Sequence, residues 1–332
     1  MKAMLLRGPR PVEERPLCLE EVPTPVPGPG ELLLRVMACG VCHTDLHIAE
    51  GELPSHKLPL IPGHQIVGVV EGMGAGASRF HIGERVGVPW LSWACGECPF
   101  CHKGRENLCP HARFTGYDID GGYAQYAVVS EAFALHMPPN LPHLQAAPLL
   151  CAGVIGFRAL RLCEVKGGEN LGLFGFGASA HIVLQVARHQ GCRVYVFSRS
   201  QEHRHLAKGL GAAWMGQAGE EPPQKLHSAI VFAPAGKIVL DALNALEKGG
   251  TLALAGIYMT PIPEMDYSHI YYEKTIRSVA NATREDALEF LRLAAEIPVR
   301  TQVQTFPLEK ANEALRLLKH GEIQGAAVLE VK

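Results

Sequence analysis

The chain has 332 residues, with 31 Lys and Arg against 33 Asp and Glu; this near-neutral balance gives no reason to expect nucleic acid or an anionic membrane as a partner. The length suits one large domain or two ordinary ones, and the apolar content is ample for sizeable cores. No apolar run reaches the roughly 18 residues of a membrane span, and residues 1–10 lack the apolar core and small-residue cleavage site of a signal peptide. A cytoplasmic protein is expected, and in that setting ten cysteines, several in C-x-x-C spacing, point to metal rather than disulfides.

Residues 1–36 read as short strands punctuated by Pro and Gly, with a turn-rich connector at 23–30 and an apolar strand at 32–36. The strand leads into C-G-V-C-H-T-D-L-H, residues 39–47, and after a polar connector into P-G-H-Q-I-V-G, residues 62–68. Cys42 and His64 offer a thiolate and an imidazole, ligands that suit a borderline-soft ion such as zinc. Asp45 can accept a hydrogen bond from the free nitrogen of a ligating His. Singly, Cys42 would read as a small buried hydrophobe and His64 as a loop histidine; Cys42, His43, Asp45, His47 and His64 within one short span make that reading unattractive. Residues 66–70 form another apolar strand, 72–78 a glycine-rich loop, and 83–88 continue the β pattern, so the first domain is expected to be β-rich and barrel-like.

Cys95, Cys98, Cys101 and Cys109 follow in the spacing C-x2-C-x2-C-x7-C. Four thiolates on one small lobe can close a tetrahedral structural zinc site. An iron–sulfur cluster is the sharper rival, because Cys109 precedes a proline, but x7 before the last cysteine is not the ferredoxin spacing. Residues 116–126 are a turn and an alternating strand. In the apolar segment 141–157, Cys151 taken alone is more often core than ligand.

From about residue 168 strands and helices alternate. A buried strand at 169–174 runs into G-F-G-A-S-A, residues 175–180, then a helix to 189, a strand at 194–197 and a helix at 201–210. This is a β-α-β unit whose Gly175 and Gly177 permit a tight turn and close backbone approach at a helix N-terminus, where a pyrophosphate can sit; Ala180 stands in place of the third glycine. Strands near 213–215, 229–233, 252–255 and 276–279, with a helix at 237–247, complete six strands of an expected doubly wound parallel sheet. Helices at 284–295 and 308–320 and a strand at 326–331 close the chain. After the strand at 194–197 the chain reads Ser198-Arg199-Ser200, with no carboxylate before Glu202. A hydroxyl beside a guanidinium can bond a 2′-phosphate that an acidic residue would repel, so NADP is expected over NAD, with NAD possible.

Taken together, G-V-C-H-T-D-L-H, P-G-H, the four-cysteine lobe, the run at 141–157 and the glycine-rich turn resemble the zinc-dependent alcohol dehydrogenases of the medium-chain dehydrogenase/reductase superfamily over essentially the whole chain. The resemblance implies a GroES-like catalytic domain at 1–150 with 296–332, a structural zinc lobe at 92–112, and a Rossmann-type cofactor domain at 151–295. It implies two zinc ions per chain, one held by Cys42, His64 and Cys151 and one by Cys95, Cys98, Cys101 and Cys109. It places Thr44 at the start of a proton relay, His47 at its outlet, and His43 against the cofactor pyrophosphate. The implied reaction is reversible hydride transfer between a primary alcohol or aldehyde and NAD(P), in a homodimer or homotetramer. A zinc-independent enone or quinone reductase and a non-catalytic nucleotide-binding protein are the alternatives. Trp90, Leu53 and Phe114 are candidates for an apolar substrate pocket or simply for the core. Three positions depart from the family pattern: Gln65 replaces the usual Glu, Ile155 a Thr, and Ala326 an Arg.

Overall fold

The computed structural model describes residues 1–297 and 299–332. The chain divides into two compact units, one made of Met1–Cys151, Asn281–Ala295 and Thr301–Lys332, the other of Ala152–Ala280 and Glu296–Arg300.

The first unit is built on one long strand, Glu31–Val41. Its first half alternates buried and less buried residues, as a half-covered strand must, and its last residues are all buried. It pairs antiparallel with Ile66–Met73, with Tyr126–Ser130 and with Ala326–Glu330, and the sheet extends through Val303–Pro307 on one side and Arg85–Val88 and Leu135–His136 on the other. Register shifts at Leu33/Leu34 and Val36/Ala38 bend the strand, as bulges do in barrel-like sheets. The sheet closes over a core that includes Leu32, Leu34, Ile66, Val70, Phe80 and Tyr123. The final strand pairs Leu329 with Cys39 and Val328 with Gly40, so the C-terminal segment lies beside the stretch leading to Cys42.

The second unit carries six parallel strands in the spatial order Trp214–Gly216, Arg193–Phe197, Asn170–Phe174, Leu226–Val231, Leu246–Leu254, Thr275–Ser278. Numbered along the chain this order is 3-2-1-4-5-6, the doubly wound arrangement in which a dinucleotide binds where the order reverses. Helices Ala152–Cys163, Ala178–His189, Gln201–Gly209 and Lys237–Ala245 accompany the sheet. Among the described residues no single helix is long and apolar enough to cross a membrane.

The structure divides the chain differently from the sequence expectation in three places, one being Glu296–Arg300, which groups with the second unit rather than the first. In the other two, Cys151 ends the leading segment of the first unit rather than opening the second, and residues 281–295 group with the first unit rather than with the cofactor domain. A long-range ion pair ties residues 281–295 to the first unit. Arg284, at the start of helix Arg284–Glu296, grips Glu106 through Nε at 2.9 Å and Nη2 at 2.6 Å, its backbone N–H adds a bond at 2.9 Å, and its guanidinium lies 4.3 Å over the Phe133 ring.

Candidate active site and metal centres

The candidate catalytic centre lies within the first unit. Cys42 ends the approach of the long strand and is the N-cap of a short helix, His43–Glu50. Thr44 through Ala49 are all buried, so this helix has no polar face and no 3.6-residue apolar pattern. Asp45, in its first turn, is fully buried and fully engaged. Its Oδ2 accepts from the Cys42 N–H at 2.9 Å; its Oδ1 accepts from His64 Nδ1 at 3.0 Å and from the Gly63 N–H at 3.2 Å. A carboxylate can only accept, so Nδ1 carries a proton toward Asp45 and Nε2 is the nitrogen that faces the two thiols, where a metal ion could replace its proton. That Nε2 lies 3.3 Å from Cys151 Sγ, and Cys151 Sγ lies 4.0 Å from Cys42 Sγ.

These spacings fit a zinc ion. Tetrahedral bonds of about 2.3 Å to sulfur and about 2.0 Å to nitrogen put two sulfurs about 3.8 Å apart and sulfur and nitrogen about 3.5 Å apart. The three ligand atoms lie within 4.8 Å of one another. His64 is fully buried while Cys42 and Cys151 retain some exposure. Three protein ligands leave one position for a further group. The electrostatics agree. Bonding to Cys151 and the neighbouring His64 push the Cys42 thiol well below its ordinary value, whereas that same bond and burial push Cys151 up. Burial alone would lower His64, but the Asp45 carboxylate and the Cys42 thiolate raise it to about 10. A buried imidazole between two thiols and a carboxylate is a site short of positive charge, and a dication supplies it.

The loop that presents His64 allows no side chain at Gly63. Its φ is 97°, and a Cβ would meet the Tyr123 ring at 2.3 Å and Cys39 Sγ at 2.9 Å. Gln65 is buried with its side-chain amide against Gly40, where a Cβ would lie 2.6 Å from Oε1. Trp90 meets His64 edge-on at 4.9 Å and stacks on Phe114 at 5.0 Å and on Tyr117 at 5.8 Å. Tyr117 in turn donates to the Pro54 carbonyl at 2.6 Å. Two of the three expected pocket residues, Trp90 and Phe114, thus form an aromatic wall beside His64. Leu53 packs against the core of this unit, and Tyr117 is a member of the wall that sequence reading missed.

The second centre gathers the four-cysteine run. Cys95 Sγ lies 3.5 Å from Cys109 Sγ and 4.0 Å from Cys101 Sγ, and Cys98 Sγ 3.5 Å from Cys101 Sγ, again close to tetrahedral zinc–thiolate spacing. Backbone N–H groups of Glu97 and Cys98 pull the Cys95 thiol down to about 6, and those of Cys95 and His111 point at Cys109 Sγ at 3.5 and 3.4 Å. Glu106, gripped by Arg284, sits three residues before Cys109.

In the second unit, the turn between strand Asn170–Phe174 and helix Ala178–His189 holds Gly175 at φ 88°, with a Cβ position 2.9 Å from the Ala233 N–H nitrogen. Gly177 is the N-cap, and nothing lies within 4 Å of its Cβ position, so the helix entry has an open face for a phosphate. Ala180 is fully buried, and the close helix contact is made instead at Gly156, where a Cβ would meet Val183 Cγ2 at 2.4 Å. At the end of the second strand Ser198 is nearly buried and Arg199 exposed. A second guanidinium, Arg204, donates to the Ser198 carbonyl at 2.5 Å and the Arg199 carbonyl at 3.1 Å. Sequence reading passed over it, although its place one helical turn beyond the Ser200 N-cap is the available signal. His43 is exposed at the first position of its helix, Ile155 lies in helix Ala152–Cys163, and Ala326 is buried at the start of the last strand.

Comparison with known proteins agrees with this reading. Residues 28–139 match the alcohol dehydrogenase GroES-like domain and residues 180–296 the zinc-binding dehydrogenase domain. The chain is 48% identical to the probable alcohol dehydrogenase AdhA of Mycobacterium tuberculosis, over 99% of this chain and 97% of that protein. It is 38% identical to an alcohol dehydrogenase of Geobacillus stearothermophilus, over 96% and 97%. Among solved structures a cinnamyl alcohol dehydrogenase of Sorghum bicolor superposes with a TM-score of 0.90 at 28% identity, covering 99% of this chain and 97% of that one. The chain belongs to the zinc-dependent alcohol dehydrogenases of the medium-chain dehydrogenase/reductase superfamily. It is an oxidoreductase that uses a nicotinamide cofactor and acts on small-molecule alcohols.

Proposed function

We propose that the protein interconverts primary alcohols and aldehydes, with a catalytic zinc at Cys42, His64 and Cys151, a structural zinc at Cys95, Cys98, Cys101 and Cys109, and NADP as the preferred cofactor. The observation that carries this reading is the convergence of two thiols and an imidazole whose other nitrogen is locked by a buried carboxylate. When bound, zinc supplies a Lewis acid that lowers the pKa of a hydroxyl, as it lowers that of water to about 7, and the nicotinamide supplies the hydride acceptor. The protein's own part is to orient and to move a proton. Asp45 holds His64 in one tautomer and ties Cys42 to the helix N-terminus, so the ligand set keeps its geometry. The wall of Trp90, Phe114 and Tyr117 excludes water and presents an apolar surface to the carbon chain of the alcohol. Thr44 and His47 are three residues apart on one helix and therefore share a face; both are nearly buried. The Thr44 hydroxyl takes the substrate proton and His47 carries it outward. The role proposed for His43 is contact with the cofactor pyrophosphate, and Gly175, Gly177 and Ala180 shape the phosphate-binding turn of the second unit.

The cofactor preference rests on Ser198, Arg199 and the Arg204 that braces them. A guanidinium bonded to a phosphate oxygen is worth roughly ten- to a hundredfold in affinity. Wild type is therefore expected to reduce NADP with at least tenfold higher kcat/KM than NAD across a panel of alcohols. Ser198→Asp with Arg199→Ile should reverse the preference. A wild type that favours NAD would contradict the assignment of this loop; the absence of any alcohol-dependent rise in reduced-nicotinamide absorbance would contradict the activity itself.

Two further properties complete the proposal. Among the described residues strand Thr275–Ser278 is paired on one side only, and Tyr267, Tyr271, Tyr272 and Ile276 are exposed. An open, apolar sheet edge favours pairing with a second copy, hence a homodimer or a homotetramer. Sedimentation is expected to give a dimer or tetramer, with Ile276→Pro shifting it to monomer; a monomeric wild type would refute this. Cysteines kept as thiol ligands support a reducing, cytoplasmic setting.

A further inference from the structure

We propose that Glu52 positions His47 and is the group through which the relay proton leaves for water, an inference that rests on the relay role given to His47 above. The arrangement is local. His47 lies in the last turn of helix His43–Glu50, and the helix stops at Gly51 in the left-handed conformation, φ 79°. A side chain at Gly51 would be strained by that φ and would also meet Pro9 Cβ at 2.9 Å. The left-handed turn sends the chain back over the residue it has just left. The N–H groups of Glu52 and Leu53 both donate to the His47 carbonyl, at 2.9 and 3.3 Å. The Glu52 carboxylate is thereby set against the imidazole, with Oε2 bonded to Nδ1. The nearby Glu50 is engaged elsewhere, its Oε1 accepting from the Val12 N–H and from Lys319 Nζ, each at 2.8 Å. The His47 side chain is 9% exposed and that of Glu52 is 38% exposed, so the pair leads from the interior to water.

The chemistry follows from the contact. A carboxylate accepts only, so it holds the imidazole proton on Nδ1 and leaves Nε2 as the nitrogen with a lone pair. The proton handed on by Thr44 forms a bond to Nε2. The Nδ1–H bond then breaks toward Glu52 Oε2, and the carboxylic acid so formed releases the proton to solvent. One proton enters and one leaves, the imidazole begins and ends neutral, and no electron is transferred. While His47 is cationic, the Glu52 carboxylate offsets its charge.

The test uses the zinc-loaded enzyme and three variants: Glu52→Gln, which keeps an acceptor but takes no proton; Glu52→Asp, which keeps the acid; and His47→Ala. In dilute buffer Glu52→Gln is expected to lower kcat for alcohol oxidation about tenfold or more, with KM for alcohol and cofactor changed less than about twofold. Added Tris, a small diffusible base, should restore much of the loss in Glu52→Gln and leave wild type unchanged. Glu52→Asp should keep at least about half the wild-type kcat. Wild-type kcat in Glu52→Gln would overturn the proposal, as would equal losses in the Gln and Asp variants that Tris does not relieve, the signature of a merely structural role. If Glu52→Gln is silent while His47→Ala is slow, this inference fails and the relay stands; if His47→Ala also turns over at the wild-type rate, the relay itself fails.

Discussion

Cys151→Ser is expected to lose one zinc per chain and at least about a thousandfold in kcat/KM for alcohol oxidation while remaining folded. Zinc as a Lewis acid is worth several kcal/mol of transition-state stabilisation, and each 1.36 kcal/mol is a factor of ten. Serine matches cysteine in shape but is a poor zinc ligand, and two ligands do not hold the ion in place. The fold has little stake in the thiol. Cys151 follows the short helical turn Ala147–Leu150, lies outside every strand and is partly exposed, and its thiol meets Cys42 Sγ and His64 Nε2. Far-ultraviolet circular dichroism and the thermal midpoint should stay close to wild type. A variant with full zinc content and wild-type turnover would refute the ligand assignment.

Cys98→Ser should act in the opposite sense, on stability first. The four thiols close around one point with no open position, and a closed site contributes folding energy directly because the unfolded lobe has no preformed one. The lobe is short of other support. Helix Pro99–His102 has no buried residue, and Phe100 is exposed. The Arg284–Glu106 pair links it to helix Arg284–Glu296, so loosening the lobe is felt by the rest of the unit. Loss of this ion is expected to lower the thermal midpoint by about 10 °C, with residual activity well above that of Cys151→Ser. An unchanged midpoint with one zinc missing would show that the ion does not hold the lobe.

The parts of the fold that were legible in the sequence are those written in local pattern. The buried strand, glycine-rich turn and helix at 169–189 are found at Asn170–Phe174 and Ala178–His189, because a fully covered parallel strand is a continuous apolar run and its helix is amphipathic. The four cysteines were legible because their chemistry is carried by spacing. Helix His43–Glu50 was not, since a helix buried all round has no polar face to reveal its period. Strand Leu246–Leu254 begins six residues before its expected start because Glu-Lys-Gly-Gly reads as a turn, yet it pairs across a register shift with Leu226–Val231. The Glu106–Arg284 fork spans 178 residues and the Glu52–His47 contact depends on one left-handed glycine; neither has a sequence period that would betray it.

The central claim is that Cys42, His64 and Cys151 hold one metal ion and the four-cysteine lobe another. Crystals of the zinc-loaded protein, measured on both sides of the zinc absorption edge, test it without reference to activity. The account expects two anomalous peaks per chain, one within bonding distance of Cys42 Sγ, His64 Nε2 and Cys151 Sγ and one among the sulfurs of Cys95, Cys98, Cys101 and Cys109. A single peak in the lobe, with nothing between Cys42, His64 and Cys151, would contradict it.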